Sequence, residues 1–494
     1  MDFPKSLMAP SIPWTTWQGL VRITSKRRRS TDSRDRSAPG ADITPPPTCK
    51  ITAAAFLMRH SSIYANDDEW EAYMQPFVER VKAAQRDGVV LHSSSPLSFL
   101  NHWRSPINDD NLEAVTGPGK DDAFEFGKRF RKLYGPLLPP KHLGRKGAKA
   151  GKEVKEPFKI WTASSERDIE TSKAWIRGAF PNWQEGEDGE GDGTVDADWA
   201  ESLTPHKICP AWDRNSGNED AQAWLETYGP PVLQRLRRYA PGYALELNDV
   251  IAMGMLCGYE SVIKKGRRSP FCSTELFKPD EFRSFGYWND IRYHHTVGYG
   301  SAVAPYLGIG WLNTSTHNLV SAYSKPHPHP NASTPASSSA FFSQFLAPFR
   351  AMQRTPKLPP PTAPPDATHT QLLFPYITHR EEPPVALVAL GLWNTTSLPT
   401  DRMPKDRKWK TSHLLPFLGH VALERMSCDV EELNGDDKGE KKDYIRVMVN
   451  GAPQQVGHCR DGPGASCEIG RFVEFVNERV EQYKDFEGAC KKNA

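Results

Sequence analysis

The stretch Ile51-Thr-Ala-Ala-Ala-Phe-Leu-Met-Arg59-His60 decides how the rest of the chain is read. It is an unbroken apolar run of strand length that stops at an arginine and a histidine. A run without polar alternation suits a strand covered on both faces, as in a parallel sheet. The carboxyl ends of such strands are where open α/β sheets hold their ligands. Arginine offers paired donors to a phosphate or carboxylate, and an adjacent imidazole can act as nucleophile or base. Taken alone, the stretch also fits a strand that ends in two polar surface residues. Partners elsewhere in the chain have to decide.

Two other stretches share the pattern. Phe158-Lys-Ile-Trp-Thr-Ala163 reads as a strand running into Ser164-Ser-Glu-Arg167-Asp168, then a helix through Ala174, Trp175 and Ile176. Leu372-Leu-Phe-Pro-Tyr-Ile377 reads as a buried strand ending in Thr378-His379-Arg380-Glu381-Glu382. Pro383 and Pro384 then open an apolar helix, in the first turn, where a missing N–H costs nothing. His379 and Glu381 are thereby placed at a strand end against a helix amino terminus, a position that favours anions. In a parallel sheet the three ends meet at one edge. They bring together three guanidinium groups, two imidazoles and a carboxyl, a set suited to phosphoryl transfer.

Between these anchors the chain alternates helical patterns with low-complexity segments. An acidic start, Asp67-Asp-Glu69, leads into a helix through Phe77, Val78 and Val81. The pattern is helical again from Trp224 to Leu256, punctuated by Pro230, Pro231 and Pro241, and from Phe277 to Trp288. Tyr293 to Gly300 reads as a donor-rich loop. Lys141–Lys155, the acidic Glu185–Asp198 and the Pro/Ser/His-rich Lys325–Thr370 read as solvated insertions, and the alternation of His327 and His329 with proline marks a surface loop rather than a metal site.

With 494 residues, 38% hydrophobic and 25% charged, the chain can bury a large core or two ordinary ones. A net charge of +2 gives no field for bulk binding of nucleic acid, and no apolar run reaches membrane-spanning length. Eight cysteines without a CxxC pair fit four disulfides in an oxidising compartment, with the connectivity open. Sequons at Asn313, Asn331 and Asn394 fit a secreted glycoprotein. The segment before Cys49 has no signal-peptide pattern. It carries Lys26-Arg-Arg-Arg29 and a proline run, and reads as a disordered leader outweighed by the cysteines.

With these residues in view, the chain from about Cys49 to Cys490 resembles the histidine acid phosphatases, particularly their fungal phytase-like branch. The family's RHGxRxP motif reads here Arg59-His60-Ser61-Ser62-Ile63-Tyr64-Ala65, and Ala389-Leu-Gly-Leu392 is similar to its AALGL. The resemblance implies that His60 is the nucleophile and that Arg59 and Arg167 clamp phosphate. It further implies that His379 contacts phosphate and that Glu381, in a His-x-Glu version of the second motif, donates the proton. It implies the disulfides Cys49–Cys428, Cys209–Cys490, Cys257–Cys272 and Cys459–Cys467.

The implied fold is α/β, a mostly parallel sheet flanked by helices (phosphoglycerate mutase-like) with a smaller helical domain inserted. Residues 1–48 form the leader, 49–180 and 360–494 the catalytic domain, 181–330 the helical insertion and 331–359 a low-complexity loop.

Two departures stand out. Ser61 replaces the motif's glycine, and Ile63 replaces its second arginine, so Arg380 is expected to supply the missing charge. The expected activity is that of a secreted acid phosphatase, acting on phosphomonoesters and including phytate-type substrates, with no metal or cofactor. Oligomeric state is open. The alternatives are an impaired phosphate-binding member of the same fold and an intracellular regulator directed by the basic leader.

Overall fold

The run around Ile51 forms the centre of a seven-stranded sheet. In the computed structural model, which describes residues 44–138, 158–181, 203–322, 371–395, 397–429, 441–457 and 459–492, this strand is β1 (Cys49–Arg59). Its residues alternate between two cores. Ala55 and Leu57 join one apolar cluster, while Ala54, Phe56 and Met58 join another on the opposite face. That double cover is why the sequence shows no polar alternation.

The other strands are β2 (Trp161–Thr162), β3 (Leu373–Thr378), β4 (His420–Asp429), β5 (Lys441–Val449), β6 (Ala452–Gln454) and β7 (Cys467–Glu468). The order is β2-β3-β1-β4-β5-β6, with β7 also on β5. Only β2, β3 and β1 run parallel. From β1 to β4 and onward every pairing is antiparallel. The expected mostly parallel sheet is thus a mixed one: the parallel half carries the strand ends that matter, and a meander extends it.

Helices cover both faces. On one side α2 (Gly117–Tyr134) packs on α3 (Glu166–Ala179) at two glycines. A Cβ on Gly127 would lie 2.2 Å from the Trp175 carbonyl oxygen, so only glycine permits the approach. On the other side α7 (Ala304–Ser321) lies against β1, β4 and α8 (Glu382–Ala389). There Gly308 seats directly on the backbone of Val385. The remaining helices of eight or more residues among the described residues are α1 (Gln75–Arg86), α4 (Asn218–Tyr239), α5 (Asn248–Ile263), α6 (Pro279–Val297) and α9 (Ile469–Gln482). One continuous apolar cluster runs from the sheet into α4, α5 and α6.

Several local readings change. The stretch from Trp224 to Leu256 splits into α4 and α5, with Pro241 between them and Pro230 and Pro231 inside α4. Tyr293 to Val297 is not loop but the last turn of α6, since no helix breaker occurs before Gly298. Asn313 is buried within α7, which rules it out as a glycosylation acceptor in the folded chain, whereas Asn394 is exposed. The leader up to residue 43, the two charged insertions, Asn331, and the histidines at 327 and 329 lie outside the described residues. All four disulfides implied by the resemblance are present. No helix among the described residues is long and apolar enough to cross a membrane.

Candidate active site

Register alone brings the key side chains together. Arg59 on β1 pairs with Thr378 on β3, so the next residues, His60 and His379, leave adjacent strand ends side by side. The His60 N–H donates to the Thr378 carbonyl at 2.9 Å, holding the two ends in step. On the far side of β3, Ala163 bonds to the Ile377 carbonyl, and the chain then turns into α3 with Arg167 in its first turn. Three strand ends therefore converge as their sequence suggested.

The His60 imidazole is 1% exposed, and its Nδ1 lies 2.8 Å from the Ser61 carbonyl oxygen. That acceptor keeps the proton on Nδ1, so Nε2 carries the lone pair. Burial, then the charges of Arg59 and Arg167, hold His60 well below the ordinary imidazole range, so it stays neutral in mild acid. Ser61, where the family has glycine, is anchored through its N–H and hydroxyl to Thr171 Oγ1, each at 3.0 Å. Ile63 is fully buried in the apolar core and bridges to Val115, so no cation enters the cleft from this position.

Around His60 lies a cleft of about 350 Å³ of empty space, open to solvent. Arg167, His379, Arg380 and Glu381 line it with His60. Arg59 does not. It lies behind the wall, 3% exposed, with its guanidinium 4.2 Å from the Phe417 ring centre and Nη1 donating to the Leu415 carbonyl. Its Nε is buried with no protein partner among the described residues. Arg167 donates to Glu113 Oε2 at 2.7 Å, and its Nε is likewise unpartnered. His379 Nδ1 lies 2.8 Å from Asp168 Oδ2, which turns the opposite ring edge toward Ser165.

Arg380 is more heavily engaged than its expected role implies. Nε contacts Glu381 Oε1 at 3.0 Å, Nη1 donates to Asn66 and to Glu69, both at 2.7 Å, and Nη2 reaches Asp68 at 3.1 Å. Every nitrogen of the fork is spent on protein oxygens, which leaves it occupied rather than waiting for an anion. Burial raises the Glu381 carboxyl, but Arg380, then His206 and His379, outweigh that and hold it well below the usual carboxylate range. Asp68 and Glu69 come from a helical turn (Asp67–Glu69) that continues as a π-helical turn (Trp70–Met74) before α1. Such turns are frequent at functional sites.

The cleft also holds residues to which the sequence assigned no part in the site: His206, Lys207, Arg214, Glu113, Asn66, and Asp67 and Asp68 of the acidic helix start. Two signals were available. Asp168 directly follows Arg167, and His206 lies three residues before Cys209, which the resemblance tied to Cys490.

A nucleophile-ready imidazole beside a second imidazole, an arginine and a carboxyl, at the carboxyl edge of parallel strands, defines a phosphoric monoester hydrolase of the histidine phosphatase type. The chain belongs to the histidine phosphatase superfamily (branch 2), which it matches over residues 50–450. An acid phosphatase of Komagataella pastoris is 23% identical over 452 residues, covering 90% of this chain and 81% of the relative. A phytase of Candida albicans is 26% identical over 470 residues, covering 91% and 82%. Among solved structures, the phytase from D. castellii aligns with a TM-score of 0.65 at 20% identity, covering 91% of this chain and 83% of its own.

Proposed function

We propose that the chain is a secreted acid phosphatase that works through phosphohistidine on His60. In the first half-reaction the Nε2 lone pair forms a bond to phosphorus as the ester P–O bond breaks, and Glu381 gives its proton to the departing alkoxide. In the second, water attacks phosphorus, the N–P bond breaks, and the Glu381 carboxylate takes the proton from water. Arg167, with Arg59 behind His60, and His379 neutralise the phosphoryl oxygens.

Glu381 is ionised in the unliganded cleft. A phosphate dianion beside it raises its pKa, and acidic solution raises its protonated fraction further. With its fork spent on carboxylates, Arg380 organises Glu381 rather than clamping phosphate. Phosphate monoesters up to phytate-type substrates fit relatives named as acid phosphatases and phytases. Four disulfides support an oxidising, extracellular setting.

The observation that carries this reading is the Ser61 carbonyl on His60 Nδ1, which leaves Nε2 as the nucleophilic atom. The test is turnover of p-nitrophenyl phosphate across pH by the wild type and by His60→Ala, with the covalent intermediate trapped by rapid quench. The expected result is acid-labile phosphohistidine in the wild type and none in His60→Ala. Acid-stable phosphoserine, or turnover by His60→Ala, overturns it.

A further inference from the structure

His206 sits on a single 3₁₀ turn (Pro205–Ile208), outside every strand end that the sequence pointed to. It is buried, yet it lines the cleft with His60, Arg167 and His379. Its Nδ1 lies 2.6 Å from Glu382 Oε1. Glu382, itself buried at the start of α8, accepts from the Thr378 hydroxyl through its other oxygen at 3.2 Å. The ring packs on Trp212, centroids 4.7 Å apart, and stands 6.0 Å from the His379 ring. The backbone is pinned on both sides: Leu203 O accepts from Thr378 Oγ1, and Cys209 is joined to Cys490. With Nδ1 committed to Glu382, Nε2 is the polar atom left for the cleft.

Most cations of the cleft are engaged; the exposed Lys207, beside His206 on the same turn, also lines it. Ile63 supplies no cation, the Arg380 fork is fully spent, Arg167 is held by Glu113, and Arg214 lies 3.7 Å from Asp67. His206 differs from these because its carboxylate stands behind it, on the nitrogen facing away from the cleft.

We propose that His206 is a further catalytic residue, whose Nε2–H donates to a non-bridging oxygen of the phosphoryl group in flight, with Glu382 as the residue that positions it. The role rests on the phosphatase reading above and involves no transfer of the proton: His206 enters and leaves the step as imidazolium. The charge balance agrees. Burial lowers the His206 pKa, but Glu382 at the start of α8 and Glu381 just before it more than offset it against the opposing Lys207 on its own turn, and the net direction is upward. The other charged groups that face it are His379 from β3 and, across the cleft, His60, Arg167, Arg214, Arg380, Asp67, Asp68 and Glu113.

The test compares wild type, His206→Gln, Glu382→Gln and the double variant His206→Gln/Glu382→Gln, which removes the buried carboxylate charge and so protects folding if His206→Gln alone unfolds. Each is assayed with p-nitrophenyl phosphate, with glycerol 2-phosphate as a poor leaving group, and for inhibition by vanadate. Loss of one preorganised donor predicts a kcat lower by about a hundredfold on both esters and vanadate inhibition weakened at least about tenfold. Glu382→Gln should keep activity in acid and lose it at lower pH than the wild type on the alkaline side, because its imidazole is no longer held protonated.

Folded His206→Gln or double variant with wild-type kcat and vanadate inhibition overturns the proposal. So does a loss confined to glycerol 2-phosphate, which would make His206 the alkoxide's proton donor instead. Titration of the wild type with inorganic phosphate, read by 15N NMR of its histidines, separates the two claims. A His206 Nε2 that responds to phosphate in a protein whose turnover proceeds without phosphohistidine keeps this inference while the phosphohistidine reading fails. A silent His206 in an active enzyme does the reverse.

Discussion

Two arginine-centred clusters, built from the same chemistry, behave differently because of where they lie in the sheet. In the antiparallel half, Arg446 pairs with Glu424, Nε to Oε2 at 2.8 Å, and Tyr134 on α2 donates its hydroxyl to the same carboxylate. At the ends of the parallel strands, Arg380 gathers Asp68, Glu69 and Glu381, and Tyr259 donates to Glu69. The first cluster pairs its charges and is sealed. The second gathers more carboxylate than its arginine can neutralise, and it opens on the cleft, where Arg292 and Arg214 help hold Asp68 low. A self-contained pair stabilises the fold alone, whereas an unbalanced one leaves a field for neighbouring groups to answer.

The sharpest way to break this contrast is Arg380→Leu. It strands three carboxylates, so stability at pH 7 should fall by about 3–5 kcal/mol in urea titrations. The sign with pH follows from the depressed carboxyls of Glu381 and Asp68. Their contribution is present above the unfolded carboxyl pKa and disappears as the pH falls through the folded values, so the deficit of the variant should shrink below about pH 4. Activity should fall as well, with the Glu381 pKa released upward.

Arg446→Leu should cost a comparable amount, about 3 kcal/mol, and leave kcat of the remaining folded enzyme unchanged. Arg446→Met with Glu424→Leu should recover most of that loss, because no charge is left buried. A change in kcat in either variant would erase the distinction drawn here.

A histidine outside both clusters gives the next comparison. Burial, then the neighbouring His295, lowers His294 from 6.5 to about 4. Folding therefore favours the neutral ring, and its contribution, full above pH 6.5, is lost as the pH falls toward 4. The total is about 3 kcal/mol. His294→Phe should flatten that part of the stability profile, measured by denaturation at fixed pH steps.

The smallest effects concern packing. Gly308→Ala and Gly178→Ala each push a methyl into a facing backbone, at Val385 and Phe124 respectively, for about 1–3 kcal/mol. Only Gly308 lies against α8, so only Gly308→Ala should also lower kcat.

Legibility in the sequence followed the same divide. The three strand ends could be read because a doubly covered strand leaves an apolar run, and the run stops where charge begins, as at Met58-Arg59 and Ile377-Thr378-His379. The disulfides came from the resemblance, not from spacing. The antiparallel meander was missed as such, since β4 and β5 mix buried charge (Glu424, Arg425, Arg446) into their apolar faces and blur the pattern. Glu113 left no trace, because a left-handed loop residue carries no periodicity, and His206, on a 3₁₀ turn, was marked only by its nearness to Cys209. Arg380 was visible as a charge, but that its charge is already spent shows only when Asp68 and Glu69 arrive from another element.

The bridge between Cys209 and Cys490 ties the short helix Phe486–Ala489 to the segment that presents His206. The tail is therefore a remote handle on the chemistry. A reductant, or a protease trimming beyond α9, could loosen one wall of the cleft without touching a group that meets substrate.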